Sequence, residues 1–476
     1  MATDIIVDAG VNQIRVGLVE NQKLVELYID DENRHKTVGN IYRGVIKRIL
    51  PGLEAAFVDI GHKKNAYLDL RKLQQNLNNS TLNIKQGEHI TVQVEKEAMG
   101  MKGPKVTSNI NITGKYMVLI PRENSIGISR KIEDNTERER LKAIFEQHKI
   151  ENCGIIIRTD SVGKSEEELI KELNFLKLRW AEIEKKETYI LAPSLLYGEI
   201  SLPLKACRDL LTSQIRKYIV NDRDIYEDVI KFIGAISPHL KDKIQYKEES
   251  NLFQHLMIES QIEKALNRHV WLKSGGMIII DTTEAMTVID VNTAKYVGKK
   301  DMEKTILKTN IEASIEIAKQ LRLRNIGGII IIDYIDMKDK ADKNAVINVL
   351  EQELKNDRVK ASVLGITNLG LVEMTRKKTG PSLTSLLFNK CPLCEGKGMT
   401  HSLKYIGDKI QKEIDFIFTQ TIYSRITIEA NQQVIKWFSS KDTSYKSLTE
   451  KKYGKKLEFI ENNNLTNEKY NIIKEK

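Results

Sequence analysis

The stretch that most restricts the fold is Gly327-Gly-Ile-Ile-Ile-Ile-Asp333, four isoleucines between a glycine pair and an aspartate. β-Branched side chains favour strands, and a strand apolar at every position reads as one covered on both faces. Ahead of it, Met302 to Arg324 repeats apolar residues at helical spacing (Ile306, Ala313, Ile317, Leu321), and Gly327-Gly328 stands where a left-handed cap would end that helix. Earlier still, Met277 to Ile280 and Met286 to Val291 are the apolar arms of a hairpin turned at Thr282 to Glu284. The order strand, helix, strand predicts an α/β sheet with helices packed on it. A further helix (Ala341 to Asn356) and two strands (Ala361 to Ile366, Gly370 to Thr375) complete this domain.

That domain uses only part of 476 residues. At roughly 100–200 residues per domain, several are expected. Apolar residues at 41% and charged residues at 29% place the chain in the globular class, not among disordered or fibrous ones. Residues 5–29 read as a hairpin at a sheet edge, with Ile14, Val16 and Leu18 alternating with polar neighbours. Short β-like runs follow at Ile41 to Ile49, Ala55 to Ile60, Ala66 to Leu70 and His89 to Glu95, broken by Pro51-Gly52, Gly61-His62 and Gly100; such spacing predicts a small β-barrel. Tyr116 to Ile120 and Gly154 to Thr159 are two more predicted strands around a charged helix, Asn135 to Gln147. Ser165 and Glu168 form a capping-box pattern for a helix running to about Lys186, with a strand-like Tyr189 to Ala192 behind it. Residues 205–270 read as mostly helical, and so does the lysine-rich tail after Met399.

Lys and Arg number 75 against 65 Asp and Glu, a net +10 that favours an anionic partner, nucleic acid or an anionic membrane surface. Met1 to Asp8 carries neither a basic n-region nor a long apolar core, and no stretch approaches the roughly 18 apolar residues of a membrane span. A cytoplasmic protein without a signal peptide or membrane span is the expectation. Four cysteines are too few for a disulfide framework in a chain of this length.

Asp290 ends one predicted strand and Asp333 another, and Asn292 shares the face of Asp290 if the chain stays extended. Carboxylates at the carboxyl ends of α/β strands sit where ligands bind, and with a carboxamide they make an all-oxygen set suited to Mg²⁺. The plainer alternative has these acids capping helices or pairing with rim lysines. Asp336 ranks below Asp333, because three positions along an extended chain it faces the other way.

Cys391-Pro-Leu-Cys394 has the spacing of one half of a tetrahedral zinc site, and a two-fold related chain could supply the other half. A redox CxxC fits less well, since no strand–CxxC–helix context surrounds it; Cys153 and Cys207 read as buried hydrophobes. Phe57 and Tyr67 lie among Arg43, Lys47, Arg48, Lys63 and Lys64, the mixture a barrel needs to stack bases and track phosphates; either ring could instead fill the barrel core. Arg158-Thr159 ends a strand and offers a guanidinium and a hydroxyl to a phosphate monoester, or simply a solvated surface arginine.

Taken together, these segments resemble the ribonuclease E/G family over essentially the whole chain. The resemblance rests on Ile41-Tyr42, Leu53-Glu-Ala-Ala-Phe-Val-Asp-Ile-Gly61, Ile157-Arg-Thr159, Asp290-Val-Asn292, Gln320-Leu-Arg-Leu-Arg324, Gly327-Gly328, Ile332-Asp-Tyr-Ile-Asp-Met337, Gly370-Leu-Val-Glu-Met-Thr-Arg376 and Cys391-Pro-Leu-Cys394. Val58-Asp59-Ile60-Gly61 and Glu137-Arg-Glu-Arg-Leu141 look more like the G branch, as does the absence of a long scaffold after Lys476. Position 60 is Ile where E-type members tend to carry Tyr, and Tyr67 stands where some members have Phe.

The resemblance implies a multidomain α+β protein: an RNase H-like subdomain split between 1–35 and 204–265, an S1 (OB-type) barrel at 36–108, a 5′-sensor region at 109–203, a DNase I-like α/β catalytic domain at 266–387, a zinc link at 388–401 and a small C-terminal domain at 402–476. It implies an endoribonuclease cutting single-stranded, often AU-rich RNA to 5′-phosphate and 3′-hydroxyl ends, in rRNA 5′ maturation or mRNA decay. Asp290 and Asp333 would bind Mg²⁺ with Asn292 assisting; Phe57, Tyr67 and Lys102 would grip RNA. Arg158, Thr159, Val118 and Gly114 would receive a 5′-monophosphate, and Cys391 and Cys394 would share Zn²⁺ between two chains of a homodimer, with further association of dimers open. Two alternatives stand beside this: a non-catalytic RNA-binding or ribosome-assembly factor, whose mark would be a replaced metal acid, and a metal-dependent DNA nuclease.

Overall fold

The computed structural model describes residues 2–31, 37–71, 84–98, 102–293, 302–394, 396–439 and 445–476. The break expected at Gly100 and the boundary expected at 35/36 lie outside these residues. The chain divides into two units, Met1–Leu386 and Leu387–Lys476.

The first unit begins with a five-stranded sheet in the order Ile244–Tyr246, Ile215–Val220, Thr3–Ala9, Gln13–Glu20, Lys23–Asp31. Residues 3–31 are thus a three-stranded meander, and Thr3–Ala9 lies at the sheet centre rather than its edge, parallel to Ile215–Val220. The segment expected to be mostly helical supplies two strands. Ile215, Tyr218 and Val220 point into the core beside Ile5, Val7 and Val16, under the helix Arg223–Ile236. Six residues of strand between two amphipathic helices are easily absorbed into the helical pattern.

The predicted barrel closes. Ile41–Leu50, Ala55–Asp59, Ala66–Asp69, Lys105–Thr107 and His89–Lys96 pair in sequence, and the last returns to the first, giving a five-stranded barrel consistent with an OB-type domain. Ile46, Ala56, Val58, Ala66, Leu68, Val92, Val94 and Val106 fill it. Gly44 is required in the barrel wall, because a Cβ there would lie 2.5 Å from Val58 Cγ1 and 3.0 Å from the Asp59 carbonyl oxygen.

A four-stranded sheet (Ile126–Ile128, Cys153–Ile157, Met117–Pro121, Ile112–Thr113) packs against the long helix Glu166–Tyr189, which contributes Leu169, Leu173, Leu176 and Trp180. Ser165 caps that helix, its Oγ accepting from the Glu168 N–H at 3.3 Å. The helix continues through Tyr189, so the expected strand at 189–192 is displaced to Ser194–Tyr197, on the flank of Ile41–Leu50.

The remaining sheet has six strands in the order His269–Trp271, Met277–Thr282, Met286–Asn292, Gly328–Asp333, Val372–Arg376, Ala361–Ile366. Its one parallel pair, Met286–Asn292 with Gly328–Asp333, is joined across the helix Met302–Leu323. That helix and Lys340–Leu354 cover one face, packing Ile317, Leu321, Val346 and Leu350 on Ile280, Ile289, Ile330 and Ile332. The isoleucine run is therefore covered on one side only: Ile330 and Ile332 are fully buried, but Ile329 is 50% exposed. The helix also ends differently from expectation. Asn325 takes the left-handed conformation (φ 48°), and Gly328 (φ 109°) opens the strand behind it.

The second unit is not a helical tail. Helices Leu403–Gln420, Gln432–Ser439 and Tyr445–Tyr453 accompany a three-stranded sheet in the order Lys456–Glu461, Arg425–Ala430, Tyr470–Glu475. Ile426 and Ile428 are buried against Ile410 and Ile414. No described helix is long and apolar enough to cross a membrane.

Candidate active site and nucleic-acid surfaces

Strand register brings the two acids together. Asp290 and Asp333 are direct partners in the parallel ladder, so both side chains leave the same face of the six-stranded sheet. On that open face Met286 and Val288 precede Asp290, and Ile329 and Ile331 precede Asp333, while Thr287, Ile289, Ile330 and Ile332 point into the core. Asn292 donates from Nδ2 to Asp290 Oδ2 at 2.6 Å, as the shared-face argument anticipated. Burial raises the Asp333 pKa, and the Asp290 and Asp336 carboxylates raise it further. Asp336 thus acts on the pair despite its lower ranking, because the strand stops at Asp333 and extended-chain parity no longer applies.

The segment after Asp333 is fixed by two residues that sequence inspection passed over. Asn310 donates from Nδ2 to the Ile335 carbonyl at 2.8 Å and accepts from the Ile335 N–H at 3.2 Å; Ser314 Oγ lies 2.8 Å from Tyr334 Oη. Both are fully buried on the helix Met302–Leu323. Their signal was polar residues on an otherwise apolar stripe, since a buried carboxamide has to find partners. The open face also carries Trp271, 60% exposed, in the cross-strand row of Met277 and Asn292.

Among the described residues no three His, Cys, Asp or Glu side chains gather to hold a metal alone. Two facing carboxylates with no cation of the described protein paired to them nonetheless fit a hard divalent cation. Mg²⁺ commonly takes one or two protein carboxylates and completes its shell with water and phosphate oxygens.

On the barrel, alternation decides between the two places for Phe57 and Tyr67. Ala56, Val58, Ala66 and Leu68 point inward, so both aromatics point out, directly paired across the strands with ring centroids 6.3 Å apart at 75°. Arg48 lies opposite Phe57 and Lys105 opposite Tyr67. Lys102 is exposed and immediately precedes Gly103, whose backbone lies against Asn65 so closely that a Cβ would be 2.1 Å from the Asn65 carbonyl oxygen. The third expected RNA-binding residue therefore sits at the edge of the strand bearing Tyr67.

In the four-stranded sheet, Val118 pairs with Ile156 on the outer side, and Arg158 follows two residues later on that side. The Arg158 N–H donates to the Tyr116 carbonyl at 2.8 Å, and its Nη1 donates to the Gly114 carbonyl and, at 2.9 Å, to Asp209 Oδ1. Thr159 is exposed at the start of a 3₁₀ turn. Gly114 cannot be replaced by a larger residue without displacement, because a Cβ would lie 2.8 Å from Glu172 Cδ. Glu172, fully buried, accepts from the N–H groups of Lys115 at 2.6 Å and Tyr116 at 2.7 Å; burial raises its pKa against those hydrogen bonds. Gly114, Val118, Arg158 and Thr159 are thus brought to one region. Asp209, absent from sequence inspection, joins them from 51 residues away with no local motif to announce it.

In the second unit, Cys394 Sγ accepts from the Gly398 N–H at 3.4 Å. Hydrogen bonds from the N–H groups of Gly398 and Gly396 lower its thiol pKa, with a further contribution from Cys391. Gly396 (φ 91°) and Gly398 (φ 71°) supply the left-handed turns that aim those donors. Two close thiols, one biased toward thiolate, fit a thiolate-bound metal such as zinc, of which they provide half the ligands. Cys153 and Cys207 are buried in separate cores, and burial pushes the Cys207 thiol up to about 12.

A sequence model of the Ribonuclease E/G family matches residues 111–379. Ribonuclease G of Escherichia coli (strain K12) is 39% identical over 428 residues, 87% of this chain and 88% of that protein. Ribonuclease G of Haemophilus influenzae (strain Rd) is 37% identical over 456 residues, 93% of each chain. Ribonuclease E of Escherichia coli (strain K12) is 37% identical over 416 residues, 85% of this chain but 39% of that longer protein.

Proposed function

The chain belongs to the ribonuclease E/G family and is an endoribonuclease of that family, and from that premise we propose that it hydrolyses single-stranded RNA with Mg²⁺ to 5′-phosphate and 3′-hydroxyl ends, preferring 5′-monophosphorylated substrates. Ribosomal RNA 5′ maturation and mRNA decay are the processes such an activity would serve. The observation that carries this reading is the registered pair Asp290 and Asp333, side by side on an open sheet face with Asn292 hydrogen-bonded to one of them.

Each of these residues has a separate task. Asp290 and Asp333 concentrate negative charge at one point, which a cation must offset before a phosphodiester can approach. Asn292 fixes the Asp290 carboxylate through Oδ2. Mg²⁺ bound there would supply charge neutralisation at the phosphate and a more acidic attacking water. Phe57 and Tyr67 hold bases by stacking, with Arg48, Lys102 and Lys105 set beside them for the backbone, so that the strand is positioned rather than merely collected.

The 5′ end is taken by Arg158 with Thr159, Val118 and Gly114, and a zinc shared through Cys391 and Cys394 joins two chains. The domain assignment follows the same reading: the S1 barrel and the sensor region lie between the two halves of an RNase H-like sheet, ahead of a DNase I-like catalytic domain.

Replacing Asp290 or Asp333 by Asn tests the reaction. Cleavage of a short single-stranded RNA should fall by about three orders of magnitude while binding, followed by anisotropy, persists. Full activity in either variant at saturating Mg²⁺ would remove the pair from the mechanism. For the zinc link, Cys391→Ser should release metal and lower the solution mass toward that of a monomer; an unchanged mass would refute it.

A further inference from the structure

We propose that Asp209 is the positioning residue of the 5′-phosphate pocket: it fixes the Arg158 guanidinium so that its Nε–Nη2 edge is presented to the terminal phosphate of an RNA. The inference rests on the pocket reading given above for Arg158 and deepens it.

A guanidinium binds phosphate best through two parallel N–H groups on one planar edge, which requires the plane to be held before the ligand arrives. Arg158 Nη1 has two protons, and two acceptors face it: the Gly114 carbonyl and Asp209 Oδ1 at 2.9 Å. No hydrogen bond to a described residue engages its Nε or Nη2. One corner of the fork is thus anchored from both sides and the opposite edge is left for a ligand. The side chain is 27% exposed, enough to be reached from solvent but not to swing freely.

Asp209 is itself held too firmly to act as a mobile plug. Arg208 grips it with both arms, Nη2 to Oδ2 at 2.9 Å and Nε to Oδ1 at 3.2 Å, and Arg208 is pinned in turn through Nη1 to the Thr113 carbonyl at 3.1 Å. The Asp209 main chain is tied as well: its carbonyl accepts from Arg358 Nη1 at 3.0 Å, out of the loop between Lys340–Leu354 and Ala361–Ile366. Burial alone would raise the Asp209 pKa, but the Arg208 hydrogen bond and the charges of Arg208 and Arg158 outweigh it, so the carboxyl lies below the ordinary range and stays ionised. Sharing one carboxylate between two guanidiniums also limits its repulsion of an incoming phosphate.

The opposite role is a competitor that the phosphate must displace, and the two roles predict opposite signs. The test compares kcat/KM on one short single-stranded RNA carrying either a 5′-monophosphate or a 5′-hydroxyl, for the native enzyme, Asp209→Ala and Asp209→Asn. The ratio of the two substrates is insensitive to a general loss of folded protein. Positioning predicts that the 5′-monophosphate preference is lost in Asp209→Ala and partly retained in Asp209→Asn, which keeps one acceptor oxygen. The same loss should appear in EDTA, where cleavage is silent, as equal affinity for the two RNAs by anisotropy. A native ratio in Asp209→Ala, or a larger one, overturns the inference. If Arg158→Ala also leaves the native ratio untouched, the pocket reading itself falls and this inference with it.

Discussion

At Asp290 and Asp333 two carboxylates meet on an open sheet face, and neither is ion-paired to a described residue; burial first, and then the Asp290 charge, raise the Asp333 pKa. At Arg158 the charge is met beforehand, by a carbonyl and a carboxylate on one corner of the guanidinium. Under the proposed function the first arrangement is electrically incomplete and would need a cation, whereas the second is braced before a ligand arrives. On the proposed reading a polyanionic substrate would be handled in both ways, through an intermediary ion where a bond must break and through a prepared cation where an end must be recognised. Substitutions should therefore fail differently in the two places.

The largest effect belongs to the incomplete site. Asp290→Asn or Asp333→Asn should cost about three orders of magnitude in cleavage rate, comparable to removing a principal electrostatic group from an active site. Restoring that rate with excess Mg²⁺ would break the contrast. Next comes the support behind the acids. Asn310→Ala leaves the half-buried Ile335 N–H and carbonyl without their partner, which should destabilise the fold by about 1 kcal/mol in denaturant unfolding. An effect within error would mean that the segment after Asp333 is held by other contacts.

At the braced site Arg158→Ala should reduce cleavage of 5′-monophosphorylated RNA by at least about tenfold more than cleavage of 5′-hydroxyl RNA, the lower end of what losing two charged hydrogen bonds would cost. Equal losses would leave Arg158 a structural residue. The smallest effect concerns Glu137, whose carboxyl is lowered to about 2 by its hydrogen bond to Arg140, with the Gly163 N–H, beyond Thr159, adding to the shift. A depressed carboxylate stabilises the native state above its unfolded pKa and loses that contribution as pH falls through the folded one. The Tm difference between native protein and Glu137→Gln should therefore be present at pH 7 and fade between about pH 4.5 and about 2. A difference independent of pH would assign it to packing.

Legibility in the sequence follows the same division. The acids could be found because strand ends, alternation and parity are local. Asp290 and Asn292 are two residues apart, and four isoleucines announce the strand that ends at Asp333. The outward aromatics of the barrel needed only the alternation of Ala56 and Val58 around Phe57 once pairing was known. What escaped was non-local or masked. Ile215–Val220 pairs with Thr3–Ala9 across more than two hundred residues, and its short alternation is lost among amphipathic helices. The sheet of the second unit was hidden by lysines, although Arg425-Ile-Thr-Ile-Glu-Ala alternates as a strand should. The isoleucine run suggested cover on both faces because composition cannot tell a buried face from an apolar face left open for a ligand. Asp209 had no signature, since its partners are set by tertiary placement alone.

The most direct test of the account is cleavage by the native protein of one short single-stranded RNA, bearing a 5′-monophosphate or a 5′-hydroxyl, in Mg²⁺ and in EDTA. Hydrolysis that requires Mg²⁺ and is faster on the 5′-monophosphate is the result expected from an incomplete acid pair and a braced arginine. Undiminished cleavage in EDTA, at rates blind to the 5′ end, would contradict both.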